Sequence, residues 1–181
     1  PKVAIISTGG TIASRVDYRT GAVRPALTAS DLYSVVPELA TIARIDTQIL
    51  FSLFSENITP KHWTQIAKAT AKHIRQGVSG VVIAHGTDTM AYTSAALSFA
   101  LQNLPIPVIL VGAQRSSDRP SSDAATNLIG AVQAAAKAPF AEVAIAMHET
   151  VSDTAIAINR GTKVRKCHTS RRDTFKPVNA T

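Results

Sequence analysis

A short glycine-rich segment near the start of the chain places a hydroxyl where it could attack a carbonyl. Residues 8–13 read TGGTIA, so Thr11 directly follows two glycines. Glycines let backbone N–H groups approach a bound group closely, which suits a nucleophile beside an oxyanion hole. Because a threonine hydroxyl is a weak nucleophile near neutral pH, it needs a base or a polarising neighbour. The candidates for that role are Tyr18, Asp88 and Lys166.

A second segment, HGTDTM at 85–90, adds a hydroxyl and a carboxylate at Thr87 and Asp88. Other chemistries fit the two segments less well. The first lacks the Lys-Ser/Thr pair of a P-loop and the G-x-G-x-x-G spacing of a dinucleotide site, and the chain has no G-x-S-x-G motif. The five histidines lack the spacing of metal ligands, so we expect neither a metal nor a cofactor.

Three of the histidines have ordinary interpretations. His62 and His73 fall on or near a predicted helix face, and we expect both to be structural or surface residues. His85 stands at a predicted strand end, where it either takes part in the chemistry or orients the loop that follows. The only cysteine, Cys167, cannot form an internal disulfide and lies in no Cys-His signature, so we expect it to be inert.

Length and composition are typical of one globular domain. The chain has 181 residues, of which 45% are hydrophobic and 17% charged, enough to bury a sizeable core. No apolar run approaches the roughly 18 residues of a membrane span, and the N-terminus has no signal-peptide pattern. We therefore expect a soluble, cytoplasmic protein.

The net charge of +7 is concentrated near the C-terminus. Residues 160–176 contain seven lysines and arginines and one acid, Asp173, which is a local charge of +6. This segment is either a solvated face or a surface for an acidic partner such as a nucleic acid. Aromatic residues that could stack on bases are sparse there, since Phe175 is alone.

Apolar strand patterns alternate with helical patterns along the chain. The predicted strands cover residues 3–7, 44–55, 80–85, 107–113 and 142–148, and the predicted helices cover 60–77, 89–103 and 123–137. Most of the strands are apolar almost throughout, as in a parallel sheet buried on both faces. The alternation predicts an α/β fold, a mostly parallel sheet with helices on both faces. The polar clusters follow the strand ends, so they should converge on one crevice.

The two motifs TGGTIA and HGTDTM, in this order and separation, resemble the signature segments of the L-asparaginase/glutaminase family of threonine-dependent amidohydrolases. The resemblance continues through VGAQ at 111–114, SSDAATNL at 121–128 and VRKCHTSRRDTFKPVN at 164–179, and so covers essentially the whole chain. It implies the flavodoxin-like large domain of asparaginases, with residues 1–181 as an N-terminal catalytic domain. The family's smaller C-terminal domain is expected to be missing from this sequence.

The resemblance also implies roles for individual residues, which we carry over as expectations. The positions that match the family's catalytic residues are Thr11, Tyr18, Thr87, Asp88 and Lys166. The positions that match its substrate-binding residues are Gly10, Ser55, Glu56, Gly86, Asp88 and Ala113. The sequence leaves open which threonine attacks first.

Within the family, several segments most resemble the branch of archaeal tRNA-dependent amidotransferases, in the subunit that supplies ammonia. The resemblance implies release of ammonia from glutamine or asparagine, a homodimer, and a tRNA-binding partner subunit. A free-standing L-asparaginase is the alternative within the family. A basic nucleic-acid-binding module that uses residues 160–176 is the alternative of another class.

Overall fold

The fold is described from a computed structural model that covers residues 1–10, 12, 14–16, 23–25, 29–117 and 120–179. Within these residues the strands are β1 (Lys2–Ser7), β2 (Ser14–Val16), β3 (Val23–Pro25), β4 (Arg44–Ile49), β5 (Gly80–Ala84), β6 (Val108–Val111), β7 (Val143–His148), β8 (Ile156–Arg160), β9 (Val164–Lys166) and β10 (Phe175–Pro177). The α-helices are α1 (Ala29–Val35), α2 (Leu39–Ile42), α3 (Pro60–Arg75), α4 (Met90–Ala100) and α5 (Ala124–Lys137).

Six strands form the central sheet, in the order β4-β1-β5-β6-β7-β8. The first five are parallel, and β8 adds to the edge antiparallel to β7. The parallel part has the flavodoxin-like order, in which the direction of strand addition reverses at β1. The predicted α/β architecture is therefore confirmed. The two short pairs β2–β3 and β9–β10 are antiparallel and were not predicted.

Apolar residues cover both faces of the sheet, as the strand patterns predict. One face packs against α1, α2 and α5, where Leu128 and Val132 are fully buried. The other face packs against α3 and α4, where Ile66 and Leu97 are fully buried. Successive residues of a strand supply opposite faces, so each central strand contributes to both cores.

Helix α3 begins and ends where the sequence indicates. Pro60 occupies its first turn, and the Thr59 N–H donates to Nδ1 of His62 at 2.9 Å. Gly77, which follows the helix with φ +76°, has the left-handed conformation that glycine favours at a helix end. No helix among the described residues is both long enough and apolar enough to cross a membrane.

The predicted strand 44–55 is wrong beyond Ile49, where β4 ends. The chain then turns across the end of β1, because the Leu50 and Leu53 N–H groups donate to the carbonyls of Ser7 and Thr8 at 2.9 and 3.1 Å. Gly9, with φ +130°, permits this close crossing, since a Cβ there would lie 2.1 Å from the Leu53 carbonyl oxygen. The crossing leads directly into a short 3-10 turn at Ser55–Asn57.

Candidate active site

The candidate site lies where β1 and β5 end side by side, at the point where the strand order reverses. The Thr8 N–H and the Thr8 hydroxyl both donate to the Ala84 carbonyl, at 3.0 and 2.9 Å. This pairing keeps the segment after β1 next to the segment 85–89 after β5. The two sequence motifs therefore meet at the carboxyl edge of the sheet.

Two glycines let three segments meet in this crevice. A Cβ on Gly10 would lie 3.4 Å from the backbone of His85 and Gly86, and Gly10 has φ +76°. A Cβ on Gly86 would lie 2.8 Å from Cβ of Ser55. Ser55 is itself held in place, since the Thr89 hydroxyl donates to its carbonyl at 2.8 Å. Gly10, Gly86 and Ser55, all expected substrate-binding residues, are thus neighbours.

Lys166 connects the two polar side chains of the second motif. Its Nζ donates to Oγ1 of Thr87 at 2.9 Å and to Oδ1 of Asp88 at 2.7 Å. Only 11% of the Lys166 side chain is exposed, whereas 65% of the Asp88 side chain is exposed. The ammonium group is therefore largely withdrawn from water, while the carboxylate beside it remains accessible to a ligand.

Gln114 fixes the direction of the Thr87 hydroxyl. Its Nε2 donates to the carbonyls of Thr169 and Arg171 at 3.2 and 3.0 Å, so Oε1 is the atom that faces Thr87 at 2.7 Å. An amide oxygen only accepts, so the Thr87 O–H must point to Gln114. The Thr87 oxygen is then left to accept a hydrogen bond from Lys166.

A buried carboxylate holds the loop that carries Gln114. Asp123 is fully buried, and its two oxygens accept from the N–H groups of Gln114 and Arg115 at 3.0 and 2.8 Å. Asn127, also fully buried, donates to the same carboxylate at 3.0 Å and contacts Nδ1 of His148 through its Oδ1 at 2.6 Å. A buried hydrogen-bond network of Asp123, Asn127 and His148 therefore holds the loop that positions Gln114.

The sequence analysis did not assign a role to Gln114, Asp123 or Asn127. The segments VGAQ and SSDAATNL that contain them contributed only to the family resemblance. Because hydrogen-bond partners far apart in sequence cannot be paired from local patterns, nothing in one sequence links Gln114 to Thr87.

The β9–β10 pair places Lys166 opposite Asp88. Lys166 ends β9 and is paired with Phe175 of β10, whose side chain is 1% exposed and belongs to the core around α4. The connection between the strands is held by Asp173, which accepts from Nε and Nη2 of Arg171, each at 2.9 Å, and from Lys176 at 3.2 Å. The hydrogen bond from Arg171 is the largest cause that lowers the pKa of Asp173 from 3.8 to about 2.

We expect Asp173 to contribute stability that is lost in acid. A carboxyl whose pKa is lower in the folded than in the unfolded chain stabilises the fold above its unfolded pKa, and the contribution vanishes as the pH falls through the folded pKa, here about 2. The Tm difference between the native chain and Asp173→Asn should therefore shrink as the pH falls from about 5 to about 2. Thermal unfolding of both proteins across this range checks it, and a constant difference would contradict it.

Several cations of the basic segment 160–176 are paired within the chain. Arg160 contacts Glu142 at 2.7 Å, and Arg172 contacts Asp153 at 3.3 Å and donates to the Ser121 carbonyl. Arg171 and Lys176 likewise form ion pairs with Asp173, and Lys166 forms one with Asp88. Five of the seven cations of the segment thus have an acidic partner within the chain.

The remaining expected site residues fall into two groups. Glu56 is exposed in the 3-10 turn directly after Ser55, and Ala113 is half-buried after β6, next to Gln114. Thr11 and Tyr18 lie outside the described residues. The structure thus brings together Gly10, Ser55, Gly86, Thr87, Asp88 and Lys166.

An open cavity of about 710 Å³ adjoins the Lys166–Asp88 pair. It runs between α4 and β9, and its lining includes Tyr92, Val164 and His168. Within the described part of the chain, no group of three His, Cys, Asp or Glu side chains is arranged to hold a metal ion. At the Lys166–Asp88 pair itself the described side chains offer hydroxyl, ammonium and carboxylate groups.

Two curated proteins are similar to this chain over almost its whole length. The chain is 61% identical over 179 residues to the D subunit of the glutamyl-tRNA(Gln) amidotransferase of Pyrococcus furiosus, covering 99% of this chain and 41% of that protein. It is 57% identical over 182 residues to the corresponding protein of Thermofilum pendens, covering 99% and 40%. The chain thus spans about two fifths of the length of these curated relatives.

A solved structure is also similar. The thermostable L-asparaginase from Thermococcus kodakarensis matches with a TM-score of 0.82 and 36% sequence identity, over 100% of this chain and 52% of that one. The family model described as "Asparaginase, N-terminal" matches residues 2–181. On this match, together with the fold and the two motifs at the carboxyl edge of the sheet, the chain belongs to the asparaginase family.

Proposed function

We propose that this chain is the catalytic domain of an amidohydrolase that releases ammonia from glutamine, or from asparagine, by means of a threonine nucleophile. The observation that carries the proposal is the position of Lys166 Nζ, within hydrogen-bond distance of both Thr87 and Asp88 at the reversal point of an asparaginase-family sheet. Residues 1–181 form the N-terminal part of such an enzyme in this proposal, and no metal or cofactor takes part.

The proposed reaction begins with attack of the Thr11 oxygen on the amide carbon of the substrate. Backbone N–H groups near Gly10 and Thr87 bind the oxyanion of the tetrahedral intermediate. The intermediate collapses as Lys166 gives a proton to the departing nitrogen and regains the proton that the Thr11 hydroxyl released, so ammonia leaves and an acyl ester remains on Thr11. Water then hydrolyses the ester, giving the free acid and restoring the hydroxyl. Tyr18 polarises the nucleophile in this scheme.

Lys166 serves as the proton donor of the reaction. Its ammonium group donates to Thr87 and Asp88 and can give a proton to the departing nitrogen, while the Thr87 hydroxyl, which itself donates to Gln114, holds the ammonium group in place. A positioned acid or base of this kind typically contributes roughly 10²- to 10⁴-fold to the rate. Thr87 can act only if its hydroxyl keeps one direction, which Gln114 enforces.

The substrate's amino-acid head is proposed to lie between Ser55, Glu56 and Asp88. The exposed carboxylate of Asp88 is available to pair with the substrate ammonium group, and Ser55 stands against Gly86 beside it. Gly10, Gly86 and Ala113 bound the rest of the crevice, where the absence of long side chains leaves room for the amide.

The similarity to D subunits of glutamyl-tRNA(Gln) amidotransferases supports the role of a glutaminase that delivers ammonia to a tRNA-binding partner subunit. The similarity to a solved L-asparaginase supports the second candidate, a free-standing asparaginase. In both cases we propose a homodimer and a cytoplasmic enzyme.

Ammonia release from glutamine and from asparagine distinguishes the two candidates. The assay uses a form of the protein that spans the length of its curated relatives, with and without a tRNA-binding amidotransferase subunit. Higher kcat/KM on glutamine, raised by the partner, would support the amidotransferase role. Preference for asparagine without any effect of the partner would support the asparaginase. Release from neither amide would refute the proposed function.

We expect replacement of Gln114 by methionine to lower kcat by about 10-fold or more, since loss of one hydrogen bond to a group that acts in the transition state typically costs this much. Methionine has a similar length, but its thioether is only a weak acceptor for the Thr87 hydroxyl and donates no hydrogen bond. The matched control is Ser122→Ala, which removes two hydrogen bonds of the same loop, to Arg115 and Ala124, without touching Thr87. Equal activity of the two variants would show that Gln114 only fills space.

A further inference from the structure

A buried chain of hydrogen bonds ends on the backbone of the second motif, and the proposed chemistry does not use it. The Trp63 Nε1–H donates to Oγ1 of Thr93 at 3.0 Å, and that oxygen lies 2.9 Å from Nε2 of His85. The other ring nitrogen, Nδ1, lies 2.6 Å from the carbonyl oxygen of Gly86. His85 is 1% exposed and Thr93 is fully buried, so no solvent competes for these contacts.

The groups at the two ends of this series of hydrogen bonds, the Trp63 indole and the Gly86 carbonyl, determine the direction of every hydrogen bond between them. The indole N–H of Trp63 can only donate, and the carbonyl of Gly86 can only accept. Nδ1 of His85 therefore carries a proton. In a neutral ring Nε2 is then bare and accepts the hydrogen of the Thr93 hydroxyl. Burial is the largest cause that lowers the pKa of His85, which favours this neutral form.

The proton on Nδ1 determines how the peptide between Gly86 and Thr87 is turned. The chain has no cis peptide bonds among its described residues, so the Thr87 N–H points opposite to the Gly86 carbonyl. With the carbonyl directed at the buried imidazole, the Thr87 N–H is directed away from it. No described residue accepts a hydrogen bond from that N–H. If the proton moved to Nε2, a bare Nδ1 would face the carbonyl oxygen and the peptide would have to turn.

We propose that His85 is a positioning residue for amide cleavage, because through the Gly86 carbonyl it holds the Thr87 N–H free to bind the oxyanion. The inference rests on the proposed function, in which that N–H is one of the donors. It adds a residue that does not touch the substrate but determines whether the donor is present. An oxyanion donor that is fixed before the reaction stabilises the transition state without any cost of reorganisation.

The first test measures the tautomer of His85 in the native protein. The ¹⁵N shifts of a histidine ring distinguish a proton on Nδ1 from one on Nε2 and from the doubly protonated ring. We expect neutral His85 with the proton on Nδ1 at pH 7, and we expect this state to persist below pH 6.5, the ordinary pKa of histidine. A proton on Nε2, or a charged ring at pH 7, would overturn the proposal whether or not the protein is an amidohydrolase.

The second test compares two amides at position 85 in a form that spans the length of the curated relatives. The side-chain nitrogen of asparagine can take the place of Nδ1, whereas the longer glutamine places its amide nearer Nε2. His85→Asn should keep kcat within about 10-fold of the native value, and His85→Gln should lower kcat by about 10²- to 10³-fold, the usual effect of losing one oxyanion donor. KM should change far less than kcat in both variants.

Equal kcat values for folded His85→Asn and His85→Gln would overturn the proposal, because a donor in the place of Nδ1 would then make no difference to catalysis. If neither variant folds, the tautomer measurement on the native chain decides alone. Failure of the proposed function has a different signature, since the native protein would then release no ammonia from either amide.

Discussion

Replacement of Thr11 by alanine is expected to lower amide turnover by at least about 10³-fold, as removal of a nucleophile does in enzymes of comparable chemistry. The expectation rests on the place of Thr11 directly after two glycines in the sequence and on its match to the family's nucleophile. Thr87→Ala should cause comparable damage, because residues that act as a unit are not additive. The rate of ammonia release at saturating glutamine is the measurement.

A conservative variant separates loss of the nucleophile from loss of structure. Thr11→Ser keeps the hydroxyl and should retain much more activity than Thr11→Ala, while both Thr11 variants should keep the Tm of the native protein. Native rates in Thr11→Ala would show that another group attacks the amide. Equal losses in the serine and alanine variants would indicate that the methyl group, rather than the hydroxyl, is what matters.

Replacement of Lys166 by methionine is expected to lower kcat by roughly 10²- to 10⁴-fold, the range for loss of a positioned acid or base. Methionine preserves the length and much of the volume of the buried stem, but it removes the donor shared by Thr87 and Asp88. The Asp88 carboxylate then loses its cation. We therefore expect KM to change as well, because Asp88 is proposed to pair with the substrate ammonium group.

Lys163→Met is the matched control, since Lys163 lies in the same basic segment, is exposed, and its Nζ donates a long hydrogen bond of 3.4 Å to the Asn179 carbonyl. Steady-state rates of the two variants should differ by roughly the full effect of Lys166. Similar losses in both would mean that the general positive charge of the segment matters, rather than the ammonium group between Thr87 and Asp88.

The sequence predicted the sheet because its signals are local. The apolar runs 3–7 and 80–85 read as strands without knowledge of any partner, and the caps at Thr59 and Gly77 bound a helix by themselves. Parallel strands bring their carboxyl ends to one edge, so the convergence of Gly10 and Gly86 followed from the same reasoning.

Features that depend on contacts between residues far apart in the chain could not be predicted from the sequence. The strand pattern of residues 44–55 continues past Ile49, but the chain leaves the sheet there because Gly9 admits the backbone of Leu53. The hairpin that carries Lys166 is stabilised by the burial of Phe175 and by Asp173, and neither contact has a periodic signature.

The polar support of Thr87 shows the same limit. Gln114 is 27 residues from Thr87 along the chain, and the carbonyls that orient its amide belong to Thr169 and Arg171, 55 and 57 residues beyond it. Only the three-dimensional structure shows that the Thr87 hydroxyl and these two carbonyls all form hydrogen bonds with the Gln114 side chain. The family resemblance predicts which residues react, whereas the groups that orient them are defined by hydrogen bonds between residues far apart in the sequence.

The central claim is that the amide is cleaved through an acyl ester on a threonine, and trapping that ester with hydroxylamine tests it most directly. Hydroxylamine competes with water for the ester, so glutamine and hydroxylamine together should yield the γ-hydroxamate in addition to ammonia. The share of hydroxamate should rise with hydroxylamine concentration, and both products should vanish in Thr11→Ala. Ammonia release without any hydroxamate would mean that water attacks the amide directly, and the account of a threonine nucleophile would be wrong.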